Sequence, residues 1–139
     1  MDNNLERAKR LVPTIILTVL SMIQALALEI FWTRTLELNV LWTGSLDAII
    51  AWFQVGAGLA SILIIWVVYV SFVLRFTWLP SLAEMIMPFI IGVLEFAAIE
   101  MMHPDTLNLW VLLVCVAFLA TMYTGHRTVI AAQREAAND

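Results

Sequence analysis

No charged residue occurs between Asp47 and Arg75, and this uninterrupted apolar run constrains the fold more than any other feature of the chain. A helix crosses a hydrocarbon core about 30 Å thick with about 20 consecutive apolar residues. Three further apolar runs are long enough to do the same. The sequence therefore predicts an all-α integral membrane protein with four spans, at about 11–32, 46–76, 81–102 and 106–124.

The composition agrees with this class. Hydrophobic residues make up 63% of the chain and charged residues 13%, against about 45–50% and about 25% in soluble domains. The net charge is −4 and the few basic residues are dispersed, so the chain offers no basic surface for a nucleic acid. Residues 1–139 are expected to form a single transmembrane domain, a four-helix bundle with short loops and a polar C-terminal stub from His126 onward.

Lysine and arginine residues predict the orientation, because they stay on the cytoplasmic side during insertion. Of the seven, only Arg34 falls on the other side of the membrane in a four-span arrangement. Both termini are therefore expected in the cytoplasm, in a bacterial-type inner membrane or a plasma membrane. An alternative interpretation of the N-terminus is a secretory signal cleaved near Ala25-Leu26-Ala27, which would leave three spans with the same orientation.

Polar and small residues recur at helical spacing within the spans. Each polar group in lipid costs free energy unless it meets protein or water, so these faces are expected to turn inward. The predicted inward face of the first span is Thr14, Thr18, Ser21 and Ala25, with Gln24 and Glu29 beside it. That of the second span is Asp47, Ala51, Gln54, Gly58 and Ser61. The third span contributes Glu84, Pro88, Ile91 and Glu95, and the fourth contributes Asn108 and Cys115. Close helix packing is the structural interpretation of the small positions.

Glu95 is the strongest candidate for a functional residue, because it lies about two-thirds of the way along the third span. A charged glutamate at that depth costs roughly 2–4 kcal/mol, so the side chain should be protonated, paired or in contact with water. Exchange between these states would let it bind a proton or a cation. The alternative is a structural role, in which Glu95 forms a hydrogen bond with Gln54 or a backbone carbonyl and holds two helices together.

Further residues complete the predicted transport site. Its members are Gln54 and Ser61 as neutral polar neighbours of Glu95, and Glu29, Glu100 and Asp47 as an acidic outer vestibule. Such a vestibule raises the local concentration of cations. Pro88 is expected to kink the third span, because it removes a backbone hydrogen bond, and to act as a hinge.

The leading functional hypothesis is a small homo-oligomeric transport protein or channel that passes a proton or small cation through this acidic cavity. The alternative is a non-enzymatic accessory or scaffold subunit that docks against another membrane subunit in the lipid bilayer. An enzyme is not expected, because no Ser-His-Asp or Cys-His nucleophile pair can be assembled. Neither a cofactor nor a metal site is predicted, since His103 and His126 fall on opposite sides of the membrane.

Overall fold

The computed structural model describes residues 2–75 and 82–136, and the regular structure in these two ranges is entirely helical. The four α-helices are α1 (Asp2–Glu37), α2 (Leu46–Arg75), α3 (Leu82–Glu100) and α4 (Leu107–Ala136). Short 3-10 helices, Asn39–Trp42 and Pro104–Thr106, lie in the α1–α2 and α3–α4 connections. The all-α class is confirmed. Two predicted features lie outside the described residues. They are the connection between the second and third spans and the last three residues of the predicted stub.

Three helical segments are long and apolar enough to cross a membrane, namely Leu11–Glu37, Leu46–Arg75 and Pro104–Ala131. In their apolar windows only 22%, 22% and 17% of the residues are buried inside the protein. Apolar side chains therefore cover much of the outer surface, which a soluble monomer rarely exposes in contiguous patches. By length and composition these segments suit a lipid environment.

Two helices extend further than their predicted spans. Helix α1 begins at Asp2, so Pro13 lies inside the helix and leaves one backbone carbonyl of the preceding turn without its usual amide donor. Helix α4 continues to Ala136 through the segment predicted as a polar stub. Thr128, within that segment, is only 3% exposed, so its part of the stub packs inside the protein.

Helices α2 and α3 each contact the other three helices. Helix α1 contacts α2 and α3, and α4 contacts the same two helices from the other side. Two clusters of buried apolar side chains fill the space between them. One contains Leu20, Ile65, Tyr69 and Ile91, and the larger one includes Ala27, Phe31, Ile62, Ala98, Ile99, Met102 and Trp110.

The predicted inward faces of the second and third spans are largely confirmed. Ala51 and Gln54 of α2 are 0% exposed, and Gly58 is also buried. On α3, Pro88, Ile91 and Glu95 are buried as well. In both helices the spacing of polar and small residues correctly indicated the side that meets the other helices.

The inward face predicted for the first span was wrong. Its four members Thr14, Thr18, Ser21 and Ala25 are all exposed. Helix α1 instead buries Ile16, Leu20, Gln24, Ala27 and Phe31. Bulky side chains fill the core better than hydroxyl groups do, and a threonine need not turn inward to satisfy its hydroxyl. Thr18 Oγ1 donates to the Thr14 carbonyl of its own helix at 2.9 Å.

The fourth span also packs through a different face from the predicted one. Asn108 and Cys115 are exposed. The buried face of α4 is Trp110, Ala117, Thr121, Thr124 and Thr128. From Ala117 onward these positions follow one another at intervals of four, three and four residues. Trp110 precedes Ala117 by seven residues, which is two helical turns. They therefore follow one side of the helix.

Candidate functional site

The centre of the site is a hydrogen bond between Gln24 of α1 and Glu95 of α3. Gln24 Nε2 donates to Glu95 Oε2 over 2.7 Å, and each side chain is only 4% exposed. The carboxamide oxygen of Gln24, Oε1, and the other carboxyl oxygen of Glu95, Oε1, are both buried without a hydrogen-bond partner. Among the described residues no cation forms an ion pair with Glu95. A buried carboxyl group is thus held by a single neutral donor.

A close helix contact places this pair. Gly92 lies one turn before Glu95 on α3, and a Cβ atom added at Gly92 would lie 2.5 Å from Ile23 Cγ2. Ile23 directly precedes Gln24 on α1. The missing side chain of Gly92 therefore lets α1 and α3 approach closely enough for the carboxamide to reach the carboxyl group.

Glu95 also lines a small internal cavity that contacts all four helices. The cavity measures about 20 Å³ and is bounded by Phe31, Ser61, Glu95 and Trp110, one from each helix, with apolar side chains making up most of the rest. A cavity holds one water molecule once it exceeds about 10–15 Å³. Ser61 Oγ donates to the Gly58 carbonyl at 2.8 Å, which leaves its oxygen able to accept another hydrogen bond. The cavity therefore has room for one water molecule.

Two of the three predicted vestibule carboxylates lie together. Glu29 and Glu100 line an open cavity of about 300 Å³ between α1 and α3, with Arg34 and Glu37. Arg34 Nη2 donates to the Glu100 carbonyl at 3.3 Å, and Arg34 Nη1 lies 3.5 Å from Glu37 Oε2. The guanidinium group neutralises part of the acidic charge. In the part of the chain that the structure describes, no three His, Cys, Asp or Glu side chains are placed to hold a metal ion.

Asp47 and Gln54 occupy other positions. Asp47 lies exposed in the first turn of α2 and does not line the Glu29–Glu100 cavity. Gln54 is completely buried, but its Nε2 donates to the His103 carbonyl at 3.2 Å and the residue does not line the Glu95 cavity. Gln54 therefore attaches α2 to the α3–α4 connection. The amide beside Glu95 is Gln24.

Pro88 lies buried within α3, which is one continuous helix from Leu82 to Glu100. It precedes Glu95 by two turns. The helix continues through Pro88 without a break, and the predicted hinge remains a prediction.

A line of buried hydroxyl groups on α4 was not identified from the sequence. Thr121, Thr124 and Thr128 are at most 5% exposed, and each donates to a carbonyl of its own helix at 2.9–3.0 Å. The buried Tyr69 of α2 lies beside Thr124. The spacing of the threonines was the available signal, but they continue into a segment that the sequence predicted to be a solvated stub.

The chain was compared with protein families, curated proteins and solved structures. No protein-family model matches the chain, and neither a curated protein nor a solved structure matches it.

Proposed function

We propose that this chain is a membrane-spanning four-helix bundle with both termini in the cytoplasm, which assembles as a homo-oligomer and passes a proton or small cation across the bilayer through Glu95. Three apolar helical segments support the membrane location. Helix α3 has 19 residues, which extend about 28 Å and match the thickness of the hydrocarbon core. The distribution of arginine and lysine supports the orientation.

The observation that carries this proposal is the environment of the Glu95 carboxyl group. Its carboxyl group is buried between α1 and α3, has one neutral hydrogen-bond donor, and lines a cavity with space for one water molecule. Ionisable groups within membrane segments are rare and are associated with ion and proton pathways. A purely structural contact would be served equally well by a neutral amide at this position.

Polar groups on either side of Glu95 provide the two halves of a route. The cavity at Glu29 and Glu100 attracts cations from the outer aqueous phase, because its carboxylates outnumber its single arginine. On the inner side, the hydroxyl groups of Tyr69, Thr124 and Thr128 line the interior. Hydroxyl oxygens both donate and accept hydrogen bonds, so they pass a proton or solvate a cation with few ordered water molecules.

Flux through purified protein in proteoliposomes tests the proposal. Wild-type protein should conduct protons or a monovalent cation under an imposed gradient, with a rate that depends on pH. Glu95→Gln preserves shape and hydrogen bonding but cannot exchange a proton, so its flux should fall to that of protein-free vesicles. Asp105→Asn is the matched control, because Asp105 is an exposed carboxylate of the α3–α4 connection that lines neither the Glu95 cavity nor the outer cavity. Wild-type flux from folded Glu95→Gln protein would disprove the role of Glu95.

Cysteine accessibility tests the orientation. In a Cys115→Ala background, Thr43→Cys in the α1–α2 connection should react with a membrane-impermeant maleimide added outside intact cells. A cysteine added after residue 139 should react only after the membrane is opened. The reverse labelling pattern would contradict the assignment of both termini to the cytoplasm.

A second function, that of an accessory subunit of a larger membrane complex, is favoured by one observation. The face of α1 formed by Thr14, Thr18, Ser21 and Ala25 points away from the other helices of the chain. Polar and small residues on an outward membrane face are typical of contacts between helices. A chain that is inert in vesicles but co-purifies with one different membrane protein would favour this function over transport.

A further inference from the structure

A polar pocket lies at the opposite end of the bundle from the Glu29–Glu100 cavity. It is formed between the start of α3 and the end of α4 and has a volume of about 150 Å³. Its lining residues are Glu84, Arg127, Ile130, Ala131 and Arg134. None of them lines the Glu95 cavity or the outer cavity, so this pocket is separate from the proposed transport site. In the proposed orientation it faces the cytoplasm.

The two arginines of the pocket are available to a ligand. Both side chains are exposed, and neither guanidinium group forms an ion pair or a hydrogen bond with any part of the chain that the structure describes. Arg127 and Arg134 are seven residues apart on α4, which is two helical turns, so they lie on the same side of the helix. Guanidinium groups bind phosphate oxygens through pairs of parallel hydrogen bonds. The pocket therefore has the donors for a phosphate group.

The charge of the pocket narrows the class of phosphate. Two guanidinium groups and the Glu84 carboxylate leave a formal charge of +1. A phosphodiester carries a single negative charge, whereas a phosphate monoester carries about −1.5 to −2 at neutral pH. One phosphodiester therefore balances the pocket, and the carboxylate disfavours more highly charged groups.

An exposed apolar strip leads from the pocket along α4. Val116, Leu119 and Tyr123 precede Arg127 at intervals of three, four and four residues, which places them on the same side of the helix. All three are exposed, and they belong to the segment Pro104–Ala131, which is long and apolar enough to cross a membrane. A ligand with its phosphate at the arginines thus has an apolar surface beside it, and Tyr123 stands where aromatic rings favour the membrane interface.

We infer that this pocket binds the phosphodiester headgroup of an anionic phospholipid of the cytoplasmic leaflet, with the acyl chains along the strip from Val116 to Tyr123. Basic pockets beside membrane helices on the cytoplasmic side recognise such headgroups. A zwitterionic headgroup has no net charge and would leave that of the pocket unbalanced. The inference rests on the membrane location and orientation in the proposed function, but not on transport through Glu95.

Native mass spectrometry of the purified full chain in a neutral detergent tests the site. Wild-type protein should bind one phosphatidylglycerol molecule with a dissociation constant about fivefold lower than that for phosphatidylcholine with the same acyl chains. Arg127→Gln should remove most of this preference. Arg75→Gln is the matched control, because it removes the same charge from an exposed position at the same end of the bundle, outside the pocket. Equal affinity for the two lipids in wild type, or equal losses in the two variants, would overturn the inference.

A soluble competitor distinguishes a lipid from a free phosphodiester. Glycerophosphoglycerol carries the same headgroup without acyl chains, so it should not displace phosphatidylglycerol even at about a hundredfold excess, because the apolar strip contributes to lipid binding. Displacement by this compound would assign the pocket to a soluble ligand and overturn the lipid assignment.

A change of shape without a change of charge gives a second test. Ala131→Leu fills part of the pocket and should weaken phosphatidylglycerol binding, whereas Ala60→Leu, at an exposed position of α2, should not. Circular dichroism confirms that each variant is folded. Unchanged binding by folded Ala131→Leu protein would contradict a headgroup in this pocket. These experiments do not measure flux, so a chain that binds the lipid without transport and one that transports without binding it are separable outcomes.

Discussion

Gln24 Nε2 donates to Glu95 Oε2 over 2.7 Å, and this bond joins α1 to α3 between residues that are 71 positions apart in the chain. Both side chains are buried. On each of the two helices, the bonded residue follows a member of the smaller apolar cluster and precedes a member of the larger one. It therefore contributes to the stability of the fold as well as to the proposed transport site, and the two contributions can be separated by substitution.

Gln24→Leu should destabilise the protein by about 1–3 kcal/mol, because it leaves the buried Glu95 carboxyl group without a donor. The double variant Gln24→Leu with Glu95→Leu should be more stable than Gln24→Leu alone, since replacing both partners removes the unsatisfied group. Reversible unfolding in mixed micelles measures both values. A single variant as stable as wild type would show that water, rather than Gln24, satisfies Glu95.

Gly92→Ala should lower the free energy of unfolding by about 1–3 kcal/mol, because the added methyl group collides with the branched side chain of Ile23. Gly56→Ala is the matched control: a Cβ atom there meets no other atom within 4 Å. It should leave stability unchanged or raise it by about 0.5–1 kcal/mol through helix propensity. The same unfolding assay compares the two, and equal effects would contradict the close α1–α3 approach at Gly92.

Ala117→Val should block flux while the protein stays folded. Ala117 lines the cavity beside Glu95, and two added methyl groups would fill the space that one water molecule needs. Overpacking of this kind costs about 1–3 kcal/mol, which a folded bundle tolerates. Proteoliposome flux is the measurement, and Ala60→Val, at an exposed position of α2, is the control. Undiminished flux through Ala117→Val would exclude this cavity from the pathway.

Arg34→Gln and Glu29→Gln should change flux in opposite directions at low ionic strength. Both residues line the outer cavity, so removing the guanidinium charge should raise the local cation concentration and removing the carboxylate should lower it. We expect changes of about twofold to threefold near 10 mM salt that largely disappear near 1 M, where the Debye length is about 3 Å. Equal effects at both salt concentrations would argue against an electrostatic vestibule.

Much of the helical structure was predictable because a long apolar run with few charges is recognisable as a helix from its own composition. The run between Asp47 and Arg75 needs no knowledge of its neighbours to be identified as a helix. The buried sides of α2 and α3 were also predictable, since Gln54 and Glu95 are costly to expose to lipid and must turn toward protein. The same argument failed for α1, because threonine hydroxyls can bond to their own helix and carry no such requirement.

The sequence by itself determined that this protein is helical, that three of its helices have the length and composition of membrane spans, and that a glutamate lies within α3. Tertiary structure decided that Gln24, rather than Gln54, bonds to Glu95, that Ser61 shares its cavity, and that Asp47 lies apart from the outer carboxylates. The physical reason is the freedom of an apolar helix to rotate about its axis. Where nearly every side is apolar, periodicity does not specify the rotation, and close contacts such as Gly92 against Ile23 select it.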